Sequence, residues 1–224
     1  MNIKELKFIE SQFEAIICLN ANLPDKEFYL LFNGIKIIAA DGAAYKLKSL
    51  GIQPDIIIGD FDSLEPDKLI DDFAGSEILK VSDQDSNDFE KVLKHCMKSK
   101  LKNLLITGIH GGELEHTLNN LSVLVKYCSE LNFCVYDSGR YGILVSESLF
   151  FVSMPYEIIS LIPQPKARLT TKNLRWELKD DVLEFGIREG ARNESSGQCI
   201  EIELHEGRYL LFIDSREPSS PILK

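Results

Sequence analysis

Short runs of β-branched and other apolar residues alternate with amphipathic stretches up to residue 136. The runs end at glycine, asparagine or aspartate, which are typical of turns. Continuous apolar runs joined by helices indicate parallel strands covered on both faces. Such strands are predicted at residues 15–19, 35–40, 56–58, 77–81, 104–107 and 133–136. Repeated alternation of strand and helix predicts an α/β fold.

Two of the predicted helices have spacings that define a buried and an exposed face. The first begins near residue 88 and is expected to turn three lysines outward, namely Lys91, Lys94 and Lys98. The second begins after Gly111 and Gly112 and is expected to bury an apolar stripe of Leu114, Leu118, Leu121, Val125 and Cys128. Shorter helices are predicted at residues 24–32 and 66–73 and between Gly42 and Gly51.

The pattern changes near residues 137–148, beyond which strand-like patterns replace the helical spacing. Strands are predicted at residues 149–154, 157–161, 181–185, 199–204 and 209–213. The pair Glu206-Gly207 is interpreted as a hairpin turn, and residues 217–224 as a loose tail. We therefore expect an α/β domain with a parallel sheet over residues 1–145 and an all-β domain of sandwich type over residues 146–224.

The composition narrows the classes of partner. The chain has 224 residues, a hydrophobic share of 44% and a formal net charge of −10. This negative charge argues against nonspecific binding to nucleic acid or to an anionic membrane. The five cysteines form no CxxC pair and are interpreted as reduced thiols of a cytoplasmic protein. We expect neither a signal peptide nor a membrane span, because no apolar run has the required length and context.

Three aspartates follow the ends of two predicted strands. Asp41 follows one strand, and Asp60 and Asp62 follow the next. Ligands of open α/β sheets bind beyond the carboxyl ends of the strands. Carboxylates crowded at such an edge favour a bound cation, and Mg²⁺ prefers oxygen ligands. The Asp41-Gly42 pair is also a common turn. Asp60 and Asp62 are expected to leave an extended chain on one side, with Phe61 anchoring the turn.

A second acidic segment, DQDSND, precedes the first of the longer helices. Asp83, Asp85 and Asn87 match the start of a calcium-binding EF-hand loop. However, Asp88 stands where that loop requires glycine, and Lys94 stands where it requires glutamate. We therefore exclude an EF-hand. Helix capping accounts for one or two acids, whereas three acids within six residues indicate a second group of ligands.

A third cluster, GIHGGELEH, combines glycines with two histidines. Gly111 and Gly112 permit close approach of a phosphate to backbone N–H groups at the start of the following helix. The chain contains neither the GxxxxGK[ST] pattern of a P-loop nor GxGxxG. His110 and His116 lack the spacing of a zinc-binding helix, so we expect structural or supporting roles for them.

The order ADGAA, GDFDS, DQDSND and GGELEH resembles the thiamin pyrophosphokinase family, and the likeness extends from about residue 15 to residue 213. The segments NLRWEL and ARNE stand where that family has its GLKW-like and SN motifs. The resemblance implies a Rossmann-like N-terminal domain and a C-terminal β-sandwich that binds thiamin and forms a homodimer with sites between subunits. It also implies Mg²⁺-dependent transfer of pyrophosphate from ATP to thiamin, which releases AMP.

The same resemblance suggests a role for individual residues. Catalysis is assigned to Asp60, Asp62, Gln84 and Asp88, and Mg²⁺ binding to Asp60, Asp62 and Asp88. No single carboxylate is singled out as the general base. Binding of the substrates is assigned to Asp41, Gly42, Asp85, Gly111, Gly112, Glu115, Asn120, Trp176, Arg192 and Asn193. Trp176 would offer a π face to the cationic ring of thiamin, and its alternative is a place in the sandwich core.

The chain departs from the family pattern at positions that bear on activity. Glu113 replaces the family's arginine and reverses a charge near the phosphates, and Glu115 replaces its aspartate. Arg192 replaces its serine, and Asn87 its threonine. Two alternatives stay open at this point. One is pyrophosphoryl transfer to another hydroxymethyl heterocycle, such as a pterin. The other is a non-catalytic sensor of thiamin diphosphate or nucleotide.

Overall fold

The computed structural model describes residues 3–10, 12–62, 66–197 and 199–224. Its helices are α1 (Lys26–Leu30), α2 (Ala43–Ser49), α3 (Pro66–Asp72), α4 (Asp88–Lys98) and α5 (Leu114–Tyr127). The strands of the first part are β1 (Lys4–Glu10), β2 (Ala15–Cys18), β3 (Lys36–Ala40), β4 (Ile56–Gly59), β5 (Glu77–Lys80), β6 (Asn103–Thr107) and β7 (Asn132–Asp137). Those of the second part are β8 (Arg140–Val145), β9 (Leu149–Val152), β10 (Pro155–Lys172), β11 (Asp181–Glu184), β12 (Gly190–Ser196), β13 (Cys199–Asp214) and β14 (Ser219–Leu223).

The described residues form two compact units. Phe13–Ser138 form an α/β unit, and Gly139–Lys224 form a β unit together with the described residues before Phe13. These limits differ from the predicted domains, 1–145 and 146–224, mainly because β1 pairs with β14 and β9. The domain ranges themselves stay a prediction. None of the described helices combines the length and the apolar character that a bilayer span requires.

The α/β unit is built on a parallel sheet with the strand order β7-β6-β2-β3-β4-β5. All the strands predicted from apolar runs are present, and every residue of β2 and β4 is buried. Phe89, Val92 and Leu93 of α4 pack with Val123 and Leu124 of α5 in one hydrophobic cluster with the sheet. The prediction of a mixed α/β fold with parallel strands is confirmed.

The expected face of α5 is wrong in the first turns of the helix, whereas Leu121 packs against the core as predicted. Leu114 and Leu118 are 69% and 53% exposed, whereas the spacing predicts both in the buried apolar stripe. The inward face instead carries Thr117 and Asn120, which line a cavity, and then Leu124, which is buried. The inward face of α5 is polar in its first turns, so hydrophobic spacing does not identify it. The exposed leucines have the more regular helical spacing and therefore suggest the wrong face.

The β unit has the strand order β14-β1-β9-β13-β8, and β10 pairs with β11, β12 and β13. The hairpin turn predicted at Glu206-Gly207 is wrong, since β13 runs from Cys199 to Asp214 as one strand. Gly207 instead lies at a register shift against β10. It has φ +82°, and a Cβ there would lie 2.0 Å from the Lys166 carbonyl oxygen. The loose tail is also wrong, because β14 pairs antiparallel with β1.

Candidate active site

The carboxyl ends of β2, β3, β4 and β6 open into a cavity of about 380 Å³. The chain leaves β2 towards β3 on one side, and β6 pairs with β2 on the other. Open α/β sheets bind their ligands at such a change in strand order. Residues that follow these four strands form the wall, together with the first turns of α4 and α5. The topology therefore brings the acidic turns and the glycine cluster of the sequence to one place.

Asp41 reaches this cavity from the end of β3 in a left-handed conformation, with φ 42°. Aspartate tolerates this region better than most residues because its short side chain bonds locally. Gly59 makes room for it, since a Cβ at Gly59 would lie 2.6 Å from Asp41 Oδ1. Asp41 Oδ1 is buried and has no hydrogen-bond partner among the described residues. A buried oxygen without a partner is costly and suggests a ligand in the working state.

The surroundings of Asp41 disfavour its charge. Burial raises the pKa of its carboxyl, and the negative charges of Asp88 and Asp60 raise it further. Backbone N–H groups of Gly42 and Phe61 oppose this effect only in part. Three carboxylates that repel one another across a cavity create a strongly negative electrostatic potential there. Such a site favours a cation or a cationic complex.

Lys91 is the cation that the protein itself supplies. Its Nζ donates to Asp60 Oδ2 at 2.7 Å and to Asp88 Oδ1 at 2.9 Å. The lysine side chain is 2% exposed, so the prediction that it faces outward is wrong. Burial alone would lower the pKa of Lys91, but the hydrogen bonds with the two carboxylates outweigh burial and raise it. The spacing of three residues between Asp88 and Lys91 was the available signal, because i,i+3 pairs face each other on a helix.

The turn after β4 is not extended. Phe61 has φ 57°, so the expectation of an extended chain that sends Asp60 and Asp62 to one side is wrong. Phe61 is 6% exposed and anchors the turn as predicted. Asp60 lines the cavity, whereas Asp62 is exposed, with its N–H 3.4 Å from Asp60 Oδ1. Ser63, the last residue of the GDFDS motif, lies outside the described residues.

Only the end of the DQDSND segment reaches the cavity. Asn87 caps α4 by accepting the N–H of Glu90 at 2.8 Å, which places Asp88 in the first turn. Gln84 and Asp85 are exposed and lie outside the cavity wall. Asp83 accepts hydrogen bonds from Ser86 Oγ at 2.6 Å and from Lys94 Nζ at 2.9 Å. These partners hold the pKa of Asp83 well below its usual range, so this aspartate stabilises the loop.

A buried carboxylate ties α4 to α5. Glu90 Oε1 accepts a hydrogen bond from Tyr127 Oη at 2.7 Å and another from Lys126 Nζ. The pKa of Glu90 is lowered, first by Lys126 and then by Tyr127. Because Asp88 and Lys91 lie in the same turns of α4 as Glu90, this contact helps fix their place at the cavity.

The glycine cluster shapes the entrance to α5. Gly111 has φ 105°, and a Cβ there would lie 2.3 Å from Asn22 Cγ, so the position requires glycine. Gly112 has φ 93° with open space beside it. Both residues line the cavity and precede a helix of 14 residues. Free N–H groups at such a helix start attract phosphate.

The acidic residues of α5 are less involved than predicted. Glu113 stands at the N-cap of α5 without a side-chain capping bond and pairs with His116 Nε2 at 3.1 Å. Both line the cavity, but Glu115 is exposed and does not. Asn120 lines the cavity and lies 3.5 Å from the carbonyl of Ile109.

The β unit holds a second cavity of about 350 Å³, lined by Trp176, Arg192 and Asn193 among others. Trp176 is 56% exposed, so its alternative place in a core is wrong. The guanidinium of Arg175 lies 4.7 Å from the centroid of its ring. The ring therefore already presents a face that binds a cation.

Asn193 holds Trp176 by its backbone. Its Oδ1 accepts the N–H of Trp176 at 3.1 Å, and its Nδ2 donates to the carbonyl of Trp176 at 2.6 Å. Arg192, next to it, has φ 56° and donates its N–H to Ser160 Oγ at 2.9 Å. The described contacts thus give Asn193 a positioning role for the tryptophan.

Comparison with known proteins decides the family. A model of the thiamin pyrophosphokinase catalytic domain matches residues 29–135, and a model of the thiamin pyrophosphokinase vitamin B1 binding domain matches residues 151–209. The chain is 30% identical over 207 residues to thiamine pyrophosphokinase 1 of Arabidopsis thaliana, which covers 77% of this chain and 75% of that protein. The chain belongs to the thiamin pyrophosphokinase family. It is also 29% identical over 200 residues to thiamin pyrophosphokinase 1 of Caenorhabditis elegans, covering 78% of this chain and 81% of that protein.

Solved structures share the fold of this thiamin pyrophosphokinase family member. Yeast thiamin pyrophosphokinase superposes with a TM-score of 0.76 at 19% identity, over 92% of this chain and 87% of that chain. The enzyme of Geobacillus thermodenitrificans gives 0.75 at 21% identity, over 91% of this chain and 98% of that chain. Because these sequence identities are low, the structural similarity is evidence for the fold and not for the function.

The carboxylate oxygens of the first cavity are suitable ligands for the Mg²⁺ that the family implies. In this structure they do not surround a position for the ion. Among the described residues, no group of three or more His, Cys, Asp or Glu side chains is close enough to hold a metal. Asp41, Asp60 and Asp88 nevertheless face one cavity with hard oxygen ligands, and one oxygen of Asp41 has no partner in the described chain. This donor set fits Mg²⁺ that arrives with part of its shell supplied by phosphate oxygens.

Proposed function

We propose that this chain transfers the pyrophosphoryl group of ATP to the hydroxyl of thiamin, producing thiamin diphosphate and AMP. One observation carries the proposal: within the segment that matches the catalytic-domain model, Asp41, Asp60 and Asp88 meet at one cavity beyond the parallel strands. Attack on a phosphate demands positioning and charge neutralisation more than covalent help from the protein. The resemblance to the family also supports a proposal about the fold: the α/β unit is Rossmann-like, and the β unit is a β-sandwich.

The acidic cavity would bind the nucleotide through a metal. Asp60 and Asp88, with Asp62 beside them, are proposed to hold Mg²⁺, which when bound would neutralise charge on the phosphate oxygens. The assignment of Asp62 rests on its motif, since its side chain is exposed at the edge of the turn. Gln84 and Asp85, also exposed, are proposed to approach the phosphates only when ligand is bound.

Backbone groups at the start of α5 would bind the phosphates directly. Gly111 and Gly112 line the cavity immediately before the helix, and N–H groups there combine with the positive end of the helix dipole. Glu113 stands where the family has arginine, and its carboxylate lies 3.1 Å from His116 Nε2. Asp41, Gly42 and Asn120 are proposed to complete the nucleotide site.

Thiamin would bind at the second cavity. Its thiazolium is flat and cationic, and the ring of Trp176, which lines this cavity, already contacts one planar cation, the guanidinium of Arg175. A thiazolium can take the place of this guanidinium, because both are planar cations. Asn193 keeps the tryptophan in place through two backbone hydrogen bonds. Arg192 lines the same cavity and is proposed to face the ligand.

The proposed enzyme is a cytoplasmic homodimer with its sites between subunits. Val152, Met154 and Tyr156 of the β unit are 74%, 53% and 77% exposed. Apolar surface of this kind is often covered by a partner. Three of the cysteines, Cys18, Cys96 and Cys134, are buried free thiols, which suits a reducing compartment.

The alternatives are not favoured by the comparisons. The vitamin B1 binding model covers the second cavity's residues, including Trp176 and Asn193, which supports thiamin over a pterin. The curated relatives are named as thiamin pyrophosphokinases, and the paired carboxylates suit an enzyme better than a sensor.

The direct test is to incubate the purified protein with ATP, Mg²⁺ and thiamin and to quantify the products by chromatography. The proposal expects AMP and thiamin diphosphate in equal amounts, with no product when Mg²⁺ is omitted. Formation of AMP with a hydroxymethylpterin in place of thiamin, or ADP as the nucleotide product, would contradict it.

A further inference from the structure

Lys91 places a positive charge between the two carboxylates that are proposed to hold the metal. Its ammonium lies 2.7 Å from Asp60 Oδ2 and 2.9 Å from Asp88 Oδ1. The lysine side chain is 2% exposed, whereas those of Asp60 and Asp88 are 26% and 39% exposed. The cation is therefore held rigidly by the protein, while both of its partners remain open to the cavity.

A divalent ion bound by Asp60 and Asp88 would share these two carboxylates with Lys91, whose ammonium engages one oxygen of each. Ammonium and metal ion repel each other at such distances, and the repulsion is only partly screened in a half-buried site. Phosphate oxygens change this balance, because they offer the ammonium new acceptors and the metal additional ligands.

We propose that Lys91 is a positioning residue that acts as a resident counter-ion, keeping free divalent metal out of the Asp60–Asp88 pair until a nucleotide brings phosphates. The metal then enters together with the nucleotide and not ahead of it. This inference rests on the proposed function, in which these two aspartates bind Mg²⁺. It also explains how Asp60 and Asp88 can face one cavity, since the ammonium of Lys91 lies within hydrogen-bond distance of both.

The same helix offers a matched control. Lys94 lies nearly one turn further along α4, its side chain is 47% exposed, and it pairs with Asp83 at 2.9 Å. Asp83 does not line the cavity. Removing the charge of Lys94 therefore changes the net charge by the same amount without touching the aspartates of the site.

The experiment measures Mn²⁺ binding to the nucleotide-free protein by electron paramagnetic resonance, in which the signal of free Mn²⁺ falls on binding. The proteins are the natural chain, Lys91→Met, Lys91→Gln, Lys91→Arg and Lys94→Met. Both neutral variants at Lys91 should bind Mn²⁺ at least about tenfold more tightly than the natural chain does. The reason is that they lack the positive charge that repels the metal ion. Lys91→Arg, which keeps the charge, and Lys94→Met should match the natural chain.

Equal Mn²⁺ affinity in the natural chain and in both neutral Lys91 variants overturns the inference. Loss of folding in both of them, seen by circular dichroism, overturns it too, because the ammonium would then serve the fold and not the site. A parallel titration with α,β-methylene-ATP, compared with the same nucleotide and Mn²⁺ without protein because the nucleotide itself binds Mn²⁺, separates this inference from the proposed function. If the natural chain binds no Mn²⁺ even with that nucleotide, the metal role of the aspartates fails, and the inference fails with it.

Discussion

The two cavities of this molecule hold their functional groups in opposite ways. In the α/β unit the groups are charged, and the cation Lys91 is 2% exposed and engaged by two carboxylates. In the β unit the central group is a neutral ring, Trp176, which is 56% exposed, is held through its backbone by Asn193 and contacts the guanidinium of Arg175. This difference suits the proposed function, in which the first cavity would bind charged phosphates and the second would offer a flat surface to an aromatic cation.

The largest effect on activity is expected from Asp60→Asn, which changes only the first cavity. It removes a proposed metal ligand and one partner of Lys91, so kcat should fall about a hundredfold or more. The melting temperature should change little, because Asp88 still pairs with Lys91. Steady-state kinetics and thermal unfolding check both parts. Asp72→Asn, which removes a surface pair with Lys48, is the control, and normal turnover in Asp60→Asn would refute the metal role.

A smaller and more selective effect is expected from Trp176→Ala. Loss of a cation–π contact of about 1–2 kcal/mol should raise the KM for thiamin by about tenfold. The KM for ATP should not change, because the nucleotide is assigned to the other cavity. Trp176→Phe should recover most of the loss, since a phenyl ring retains a π face. Equal changes in both KM values would speak against stacking at this residue.

Asn193→Ala should act on the same ligand indirectly. It leaves the N–H and the carbonyl of Trp176 without their partners, which costs about 1–3 kcal/mol in the free energy of unfolding. The KM for thiamin should rise less than in Trp176→Ala, because the ring is still present but less well positioned. Urea denaturation and kinetics measure the two effects. A full loss of thiamin binding with unchanged stability would instead indicate direct contact with the ligand.

Asp41→Asn tests how much the ionised carboxylate of Asp41 in the first cavity destabilises the folded chain. The pKa of Asp41 is raised by burial and by the charges of Asp88 and Asp60. An acid with a raised pKa destabilises the folded chain once it ionises. The variant should therefore melt at a higher temperature than the natural chain at neutral pH, and the gap should close as the pH falls towards 3.8, the unperturbed value. A lower melting temperature at neutral pH would contradict this account.

Asp83→Asn should show the opposite sign and the smallest effect. The pKa of Asp83 is depressed by Ser86 first and then by Lys94, so its charge stabilises the folded chain above its unperturbed pKa of 3.8. Melting curves should place the variant below the natural chain at neutral pH, and the two should converge as the pH falls well below that value. Because the contacts are exposed to solvent, salt should reduce the difference.

The parts of the fold that follow from local pattern were predictable from the sequence. The apolar runs of β2 and β4 identify buried parallel strands, and the position of Asp41 and Asp60 at strand ends identifies the side of the sheet that binds ligand. Chain order then brings Asp88 and Gly111 to the same cavity through the crossing between β2 and β6.

The parts that depend on tertiary partners were not predictable. Lys91 is buried where Asp60, distant in sequence, accepts a hydrogen bond from its ammonium, and the spacing within α4 indicates only its other partner, Asp88. The strand β14 forms by pairing with β1, and the local pattern of the terminal segment, which predicts a tail, does not contain that partner. Glycine is common both in turns and at register shifts, so the sequence around Gly207 does not distinguish the predicted turn from the observed shift.

The division of labour between the two cavities can be tested most directly by fluorescence, because Trp176 is the only tryptophan in the chain. Thiamin is titrated into the natural protein and into Asp60→Asn, and the emission is compared with that after titration of α,β-methylene-ATP and Mg²⁺. The account predicts that thiamin quenches the emission in both proteins with similar affinity, and that nucleotide alone leaves it nearly unchanged. Quenching by nucleotide in the absence of thiamin, or no response to thiamin in the natural protein, would contradict it.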